Sequence, residues 1–137
     1  MDDIDTLVAD VWATGLSPDR HPVQYARPHL DQLGAVPVAA LSDVDDKTRV
    51  LVGGIVTHRQ RPATARGVTF LNLEDETGML NVVCEPGLFL RSRKTVRTSP
   101  ALLVRGLLER ADGVINLVAD KFEPLRLSVR PASRDFR

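Results

Sequence analysis

The sequence predicts an all-β domain of five short strands closed into a barrel, with a helix between the third and fourth strands. Three observations carry this. First, the stretch 49–84 holds three apolar runs, separated by a basic loop containing Gly and Pro and by an acidic turn, Glu74-Asp75-Glu76-Thr77-Gly78. Second, two further runs, 101–110 and 114–124, flank Ala111-Asp112-Gly113, which has the chemistry of a tight hairpin. Third, the segment between these groups, 88–96, is amphipathic at helical spacing. Leu88, Phe89 and Val96 fall on one side, and Arg91, Arg93, Lys94 and Arg97 on the other.

Each apolar run is too short for a stable helix, is rich in strand formers and is bounded by turn residues. Val50, Leu51, Val52, Ile55 and Val56 make the first strand. Val68, Phe70, Leu71 and Leu73 make the second, and Leu80, Val82 and Val83 the third. These three form an antiparallel meander, with Gly78 expected to supply a positive φ in the second turn. Glu85-Pro86-Gly87 breaks the sheet before the helix. The fourth strand carries Leu102, Leu103, Val104, Leu107 and Leu108, and the fifth Ile115, Leu117, Val118 and Phe122. Three strands, a helix and two strands is the connectivity of the OB-fold, a Greek-key barrel that binds oligonucleotides on the face of its second and third strands. Closing the barrel also leaves few strand edges unpaired.

The expected organisation is a helical lead segment at 1–33, a linker at 34–48, the OB barrel at 49–124 and a basic tail at 125–137. In the lead segment, Ile4, Leu7, Val8, Val11 and Trp12 form one helical stripe behind Asp2, Asp3 and Asp5. A second helix is expected from Val23 to Leu33, restricted in its middle by Pro28. Gly34 to Val38 reads as an extended connector, and Ser42 to Asp46 as a polar turn.

The chain has 137 residues, 43% apolar and 26% charged, which is the composition of one globular domain with its own core. Formal net charge is zero, but it is unevenly spread: residues 1–48 carry net −6 and residues 49–110 net +5. A basic barrel behind an acidic lead suits phosphate partners. Cys84 is the single cysteine, so there is no disulfide framework and no cysteine-based zinc site. No apolar run approaches the roughly 18 residues of a membrane span. The acidic N-terminus lacks the start of a signal peptide. A cytoplasmic location is expected.

Alternation assigns the faces. Thr69, Leu71 and Leu73 share one face of the second strand, which the two leucines mark as core. Phe70 and Asn72 then lie outside. In the third strand Leu80, Val82 and Cys84 point in, and Asn81 and Val83 out. An outward aromatic beside two amides suits nucleic acid: the ring stacks on a base and the amides address base edges. The alternative is that Phe70 is a core residue with the barrel bent around it. The loop from Thr57 to Gly67 carries His58, Arg59, Arg61 and Arg66, and its guanidiniums suit phosphate oxygens. They are read as phosphate contacts in preference to solubilising charges, and the basic helix residues as a solvated face. The acidic turn is read as a strand end, not a metal site. No metal, cofactor or catalytic group is expected, since no nucleophile elbow, phosphate loop or dinucleotide fingerprint is present.

The run from Gly54 to Ala65, with Gly67 to Phe70 and Asn72 to Gly78, resembles the C-terminal OB domain of bacterial error-prone DNA polymerases of the C family. The likeness extends through Thr98 to Leu102, Arg110 to Asn116 and Ser133 to Arg137, and Thr14 to Ser17 with His21-Pro22 is similar to that family's approach to the domain. The resemblance implies a domain that holds single-stranded DNA template in translesion synthesis and has no catalytic role of its own. The metal-binding aspartates of such polymerases lie in a palm domain with no counterpart here, so the chain is expected to be a fragment or a remnant. Implied partners are single-stranded DNA, the rest of the polymerase, a Y-family-like adaptor and a RecA-like accessory protein. A more distant similarity is to the anticodon-binding OB domains of class II tRNA synthetases, where Phe70, Asn72 and Asn81 stand in matching places. A protein-docking module and a tRNA-binding module are the rival readings.

Overall fold

The computed structural model describes residues 21–60 and 66–127. The lead helix expected before residue 15, Arg61 and most of the tail lie outside the described residues. Helix α1 spans Pro22–Leu33 and a 3-10 helix spans Val38–Asp43. Strands β1 (Arg49–Gln60), β2 (Thr69–Asp75) and β3 (Gly78–Cys84) precede helix α2 (Pro86–Thr98), and β4 (Ala101–Ala111) and β5 (Val114–Pro124) follow it. The strands close in the order β1-β2-β3-β5-β4. Every neighbouring pair is antiparallel except β3 and β5, which run parallel. This is the OB-fold predicted from element order.

Alternation fills the barrel. Val50, Val52 and Val56 of β1, Leu71 and Leu73 of β2, Leu80 and Val82 of β3, Leu102, Val104 and Leu108 of β4 and Leu117 of β5 form one buried cluster. Leu88, Phe89 and Val96 of α2 join it. Pro86 starts α2 at a position where its missing N–H costs no helical hydrogen bond. The β4–β5 turn follows its chemistry: Asp112 and Gly113 adopt φ of 54° and 80°.

The connector before β1 is not wholly extended. Its 3-10 helix buries Leu41 in the barrel core, while the Val38 amide donates to Asp75 Oδ2 (2.9 Å) and the Ala39 amide to Thr77 Oγ1 (2.9 Å). The acidic turn is a strand end, as expected, but Gly78 has no positive φ. Asp75 makes the turn instead. Its Oδ1 accepts from the Thr77 amide (2.8 Å), the Thr77 hydroxyl (2.7 Å) and the Gly78 amide (3.1 Å).

Helix α1 continues through Pro28, which lies on its exposed side. His21 Nδ1 accepts from the Val23 amide at its start. Its buried stripe, Val23, Ala26 and Leu30, packs with Ile55, Ala101 and Leu125 into a second cluster on the outside of β1 and β4. Gly53 permits this approach, since a Cβ there would lie 2.7 Å from Leu30 Cδ2. Thus α1 covers one outer face of the barrel and leaves the β2–β3 face open.

Arg27 locks α1 to the β2–β3 turn. It donates to both Glu76 oxygens (2.8 and 2.9 Å) and to Asp75 Oδ2 (3.2 Å). The Arg27 hydrogen bond holds the Glu76 carboxyl below its ordinary pKa, against the opposing effect of burial. A carboxylate depressed in the folded state stabilises fully above its unfolded pKa, about 4.3 for glutamate. That contribution disappears as pH falls through the folded value. Urea titrations of wild type and Glu76→Gln should therefore show a stability gap near neutrality that closes on acidification. A gap constant with pH would show that the pair carries no linked proton.

Candidate nucleic-acid interface

The open face is built by register. His58 of β1 lies opposite Asn72 of β2, Asn72 opposite Asn81 of β3, and Asn81 beside Asn116 of β5. Asn72 Nδ2 donates to Asn81 Oδ1 at 3.3 Å. One row away, Gln60 lies opposite Phe70, Phe70 opposite Val83, and Val83 beside Val118. The Phe70 residue is 37% exposed, so the ring is not a core residue. A polar row with an open aromatic beside it offers a π-face to a base and donors and acceptors to its edge. The structure thus brings His58, Phe70, Asn72 and Asn81 to one surface. It adds Asn116, which sequence reasoning did not single out as a site residue.

The basic loop is shorter than expected, because β1 runs to Gln60 and carries His58 and Arg59 on a strand. A bulge between Val56 and His58 reverses the alternation. His58 consequently faces out, beside Asn72, and its Nδ1 lies 3.3 Å from Thr57 Oγ1. Arg59 pairs with core-facing Leu71 and turns toward α2. Its Nε donates to the Val96 carbonyl (2.8 Å) and its Nη2 to the Ser99 carbonyl (2.7 Å). These carbonyls belong to the end of a helix, where the helix itself supplies no donors. Burial pushes the Arg59 guanidinium below its ordinary pKa. The strand therefore holds Arg59 as a helix cap, not as a free loop cation. Arg66 is exposed, in a turn where it and Gly67 have positive φ.

Arg93 and Arg97, expected on a solvated helix face, flank a cleft of about 300 Å³ between α2 and the β1–β2 edge. Asp75 and Glu76 are engaged by Arg27 and by backbone amides. Among the described residues no group of acidic, histidine or cysteine side chains is placed to hold a metal ion. Burial and the neighbouring Glu85 push the Cys84 thiol up to about 11, which leaves it protonated and unreactive at neutral pH. No described helix is long and apolar enough to cross a membrane.

A protein family described as an OB-fold nucleic acid binding domain matches residues 50–125. The chain belongs to that family. The matched segment starts in β1 and ends just beyond β5, so it takes in the whole barrel. The chain is also 56% identical, over all 137 residues, to the error-prone DNA polymerase of Mycolicibacterium paratuberculosis, of which it spans 12%. It is 55% identical over the same length to that of Mycobacterium tuberculosis strain H37Rv, again spanning 12%. The resemblance read from its motifs is thereby confirmed, and the chain corresponds to a small part of those polymerases. Among solved structures, a chain of a replication protein A heterotrimer bound to single-stranded DNA superposes with a TM-score of 0.52 at 13% identity, over 66% of this chain and 79% of that one. At that identity the likeness is one of fold.

Proposed function

We propose that this OB domain binds single-stranded DNA across its β2–β3 face and holds template strand for an error-prone, translesion-type polymerase, with no catalytic group of its own. The observation that carries the reading is the registered surface of Phe70 beside His58, Asn72 and Asn81. A stacking platform next to a row of amides is what an unpaired strand requires, since its bases are free to splay onto a ring. The identity to error-prone polymerases supports the polymerase context, and the positive charge of the barrel supports a phosphate-bearing partner. In that context the remainder of the polymerase is the first partner of the domain, and a Y-family-like adaptor and a RecA-like accessory protein are further ones.

Anisotropy of a labelled oligothymidylate tests the reading. Binding should weaken log-linearly with salt. Phe70→Ala should lower affinity by about 1–3 kcal/mol while leaving the urea midpoint of unfolding in place, because the ring is not in the core. Absence of binding at low salt by a folded chain would refute the proposal. Tighter binding of RNA of the same sequence would move it to the anticodon-type alternative, since only RNA offers a 2′-hydroxyl.

A further inference from the structure

We propose that the cleft between the end of β1, the start of β2 and the C-terminal half of α2 is a phosphate subsite for that strand, an inference that rests on the reading above. The cleft is lined by the guanidiniums of Arg59, Arg93 and Arg97, with Gln60 and Thr69 beside them and no acidic side chain among the described residues that line it. Arg93 and Arg97 are one helical turn apart and so project to the same side of α2. Neither makes an ion pair or a side-chain hydrogen bond among the described residues, and both are exposed. Arg59 is partly buried, and among the described residues its side chain is bonded only to neutral carbonyls.

A half-buried cation without a counter-ion is electrostatically incomplete, and an anion entering the cleft would meet all three charges at once. Thr69, another lining residue, has a buried hydroxyl with no hydrogen-bond partner among the described residues. The position of the cleft decides the class of anion. Thr69 precedes Phe70, and Gln60 pairs with Phe70 across the β1–β2 ladder. Two lining residues are therefore neighbours of Phe70 in the ladder, Thr69 one residue along β2, a rise of about 3.3 Å, and Gln60 directly across on β1. A strand whose base sits on Phe70 carries its backbone over the barrel rim toward these arginines.

The test is the salt dependence of oligothymidylate binding by the full chain. Arg93→Gln with Arg97→Gln should make the log–log salt slope shallower by roughly 0.7–1.4, the value for one or two lost phosphate contacts to a single strand. Arg91→Gln with Lys94→Gln, a change of equal charge on the same helix outside the cleft, should leave the slope near that of the wild type. Equal effects of both pairs would overturn the subsite in favour of diffuse attraction. An unchanged slope for the cleft pair, with binding still sensitive to Phe70→Ala, would overturn the subsite and leave the strand-binding reading intact. No binding by the wild type would overturn both. A neutral methylphosphonate placed at successive linkages gives an independent readout on unmutated protein. Loss concentrated at one or two linkages supports the subsite, and an even loss overturns it.

Discussion

Asp75→Ala should destabilise the domain by about 3–5 kcal/mol, the cost of removing one partner from a buried ion pair. The Asp75 side chain is completely buried, and it accepts from Arg27, from the amides of Val38, Thr77 and Gly78 and from the Thr77 hydroxyl. Alanine would leave three backbone donors and a hydroxyl in search of acceptors. Arg27 would be less well compensated, and its Nη1 is already buried without a partner among the described residues. The damage would spread because these donors come from α1, the 3-10 helix and the β2–β3 turn together. Urea denaturation followed by circular dichroism measures it. Asn at position 75 keeps one carbonyl oxygen and should recover part of the loss. A midpoint within error of wild type for Asp75→Ala would mean that water satisfies this network without help from the carboxylate.

Gly106→Ala should cost about 3 kcal/mol, the upper end of what overpacking exacts. A Cβ on Gly106 would lie 2.2 Å from the Val118 carbonyl oxygen and 2.8 Å from the Ala119 Cα. Both are backbone atoms of β5, so no side-chain rotation relieves the clash. The position adjoins the irregularity in the β4–β5 ladder between Arg105 and Gly106. Loss of stability should be accompanied by faster amide exchange along β4 and β5. A variant as stable as wild type would show that the ladder opens at this point without penalty.

The barrel was legible because its signals are local. Leu71 and Leu73 fix the inner face of β2, and Phe70 and Asn72 follow to the outside by alternation. Asp112 and Gly113 demand a tight turn, and the structure has one. The position of Arg59 is not legible, because a bulge adds a residue to a strand with no distinctive residue type to announce it. One inserted position at Thr57 exchanged the directions of His58 and Arg59, turning a presumed loop cation into a helix cap. Turn chemistry predicts a left-handed Gly78, but the Asp75 side chain makes that conformation unnecessary. Asn116 has no local signature as a site residue, because its neighbour Asn81 belongs to a parallel, distant pairing, and turn chemistry reports only on adjacent antiparallel strands. Helical periodicity separated Arg93 and Arg97 from the core but could not show that they overlook a cleft. The pairing of Arg27 with Glu76 joins residues 49 apart and has no local signature.

The two seams that close the barrel are unequal. Between β1 and β4 the ladder runs from Arg49 opposite Leu107 to Ile55 opposite Ala101, whereas β3 meets β5 only from Asn81 beside Asn116 to Val83 beside Val118. The molecule is therefore a meander and a hairpin hinged along the long seam and latched along the short one. Breaking the latch requires few backbone hydrogen bonds, which places it toward the low-energy end of local openings. The polar row crosses that latch between Asn81 and Asn116. A strand lying over it would engage both halves only while the latch is shut, and its affinity would be drawn from the closed population. In this sense the ligand would act as a clasp, tightening the shell that presents it.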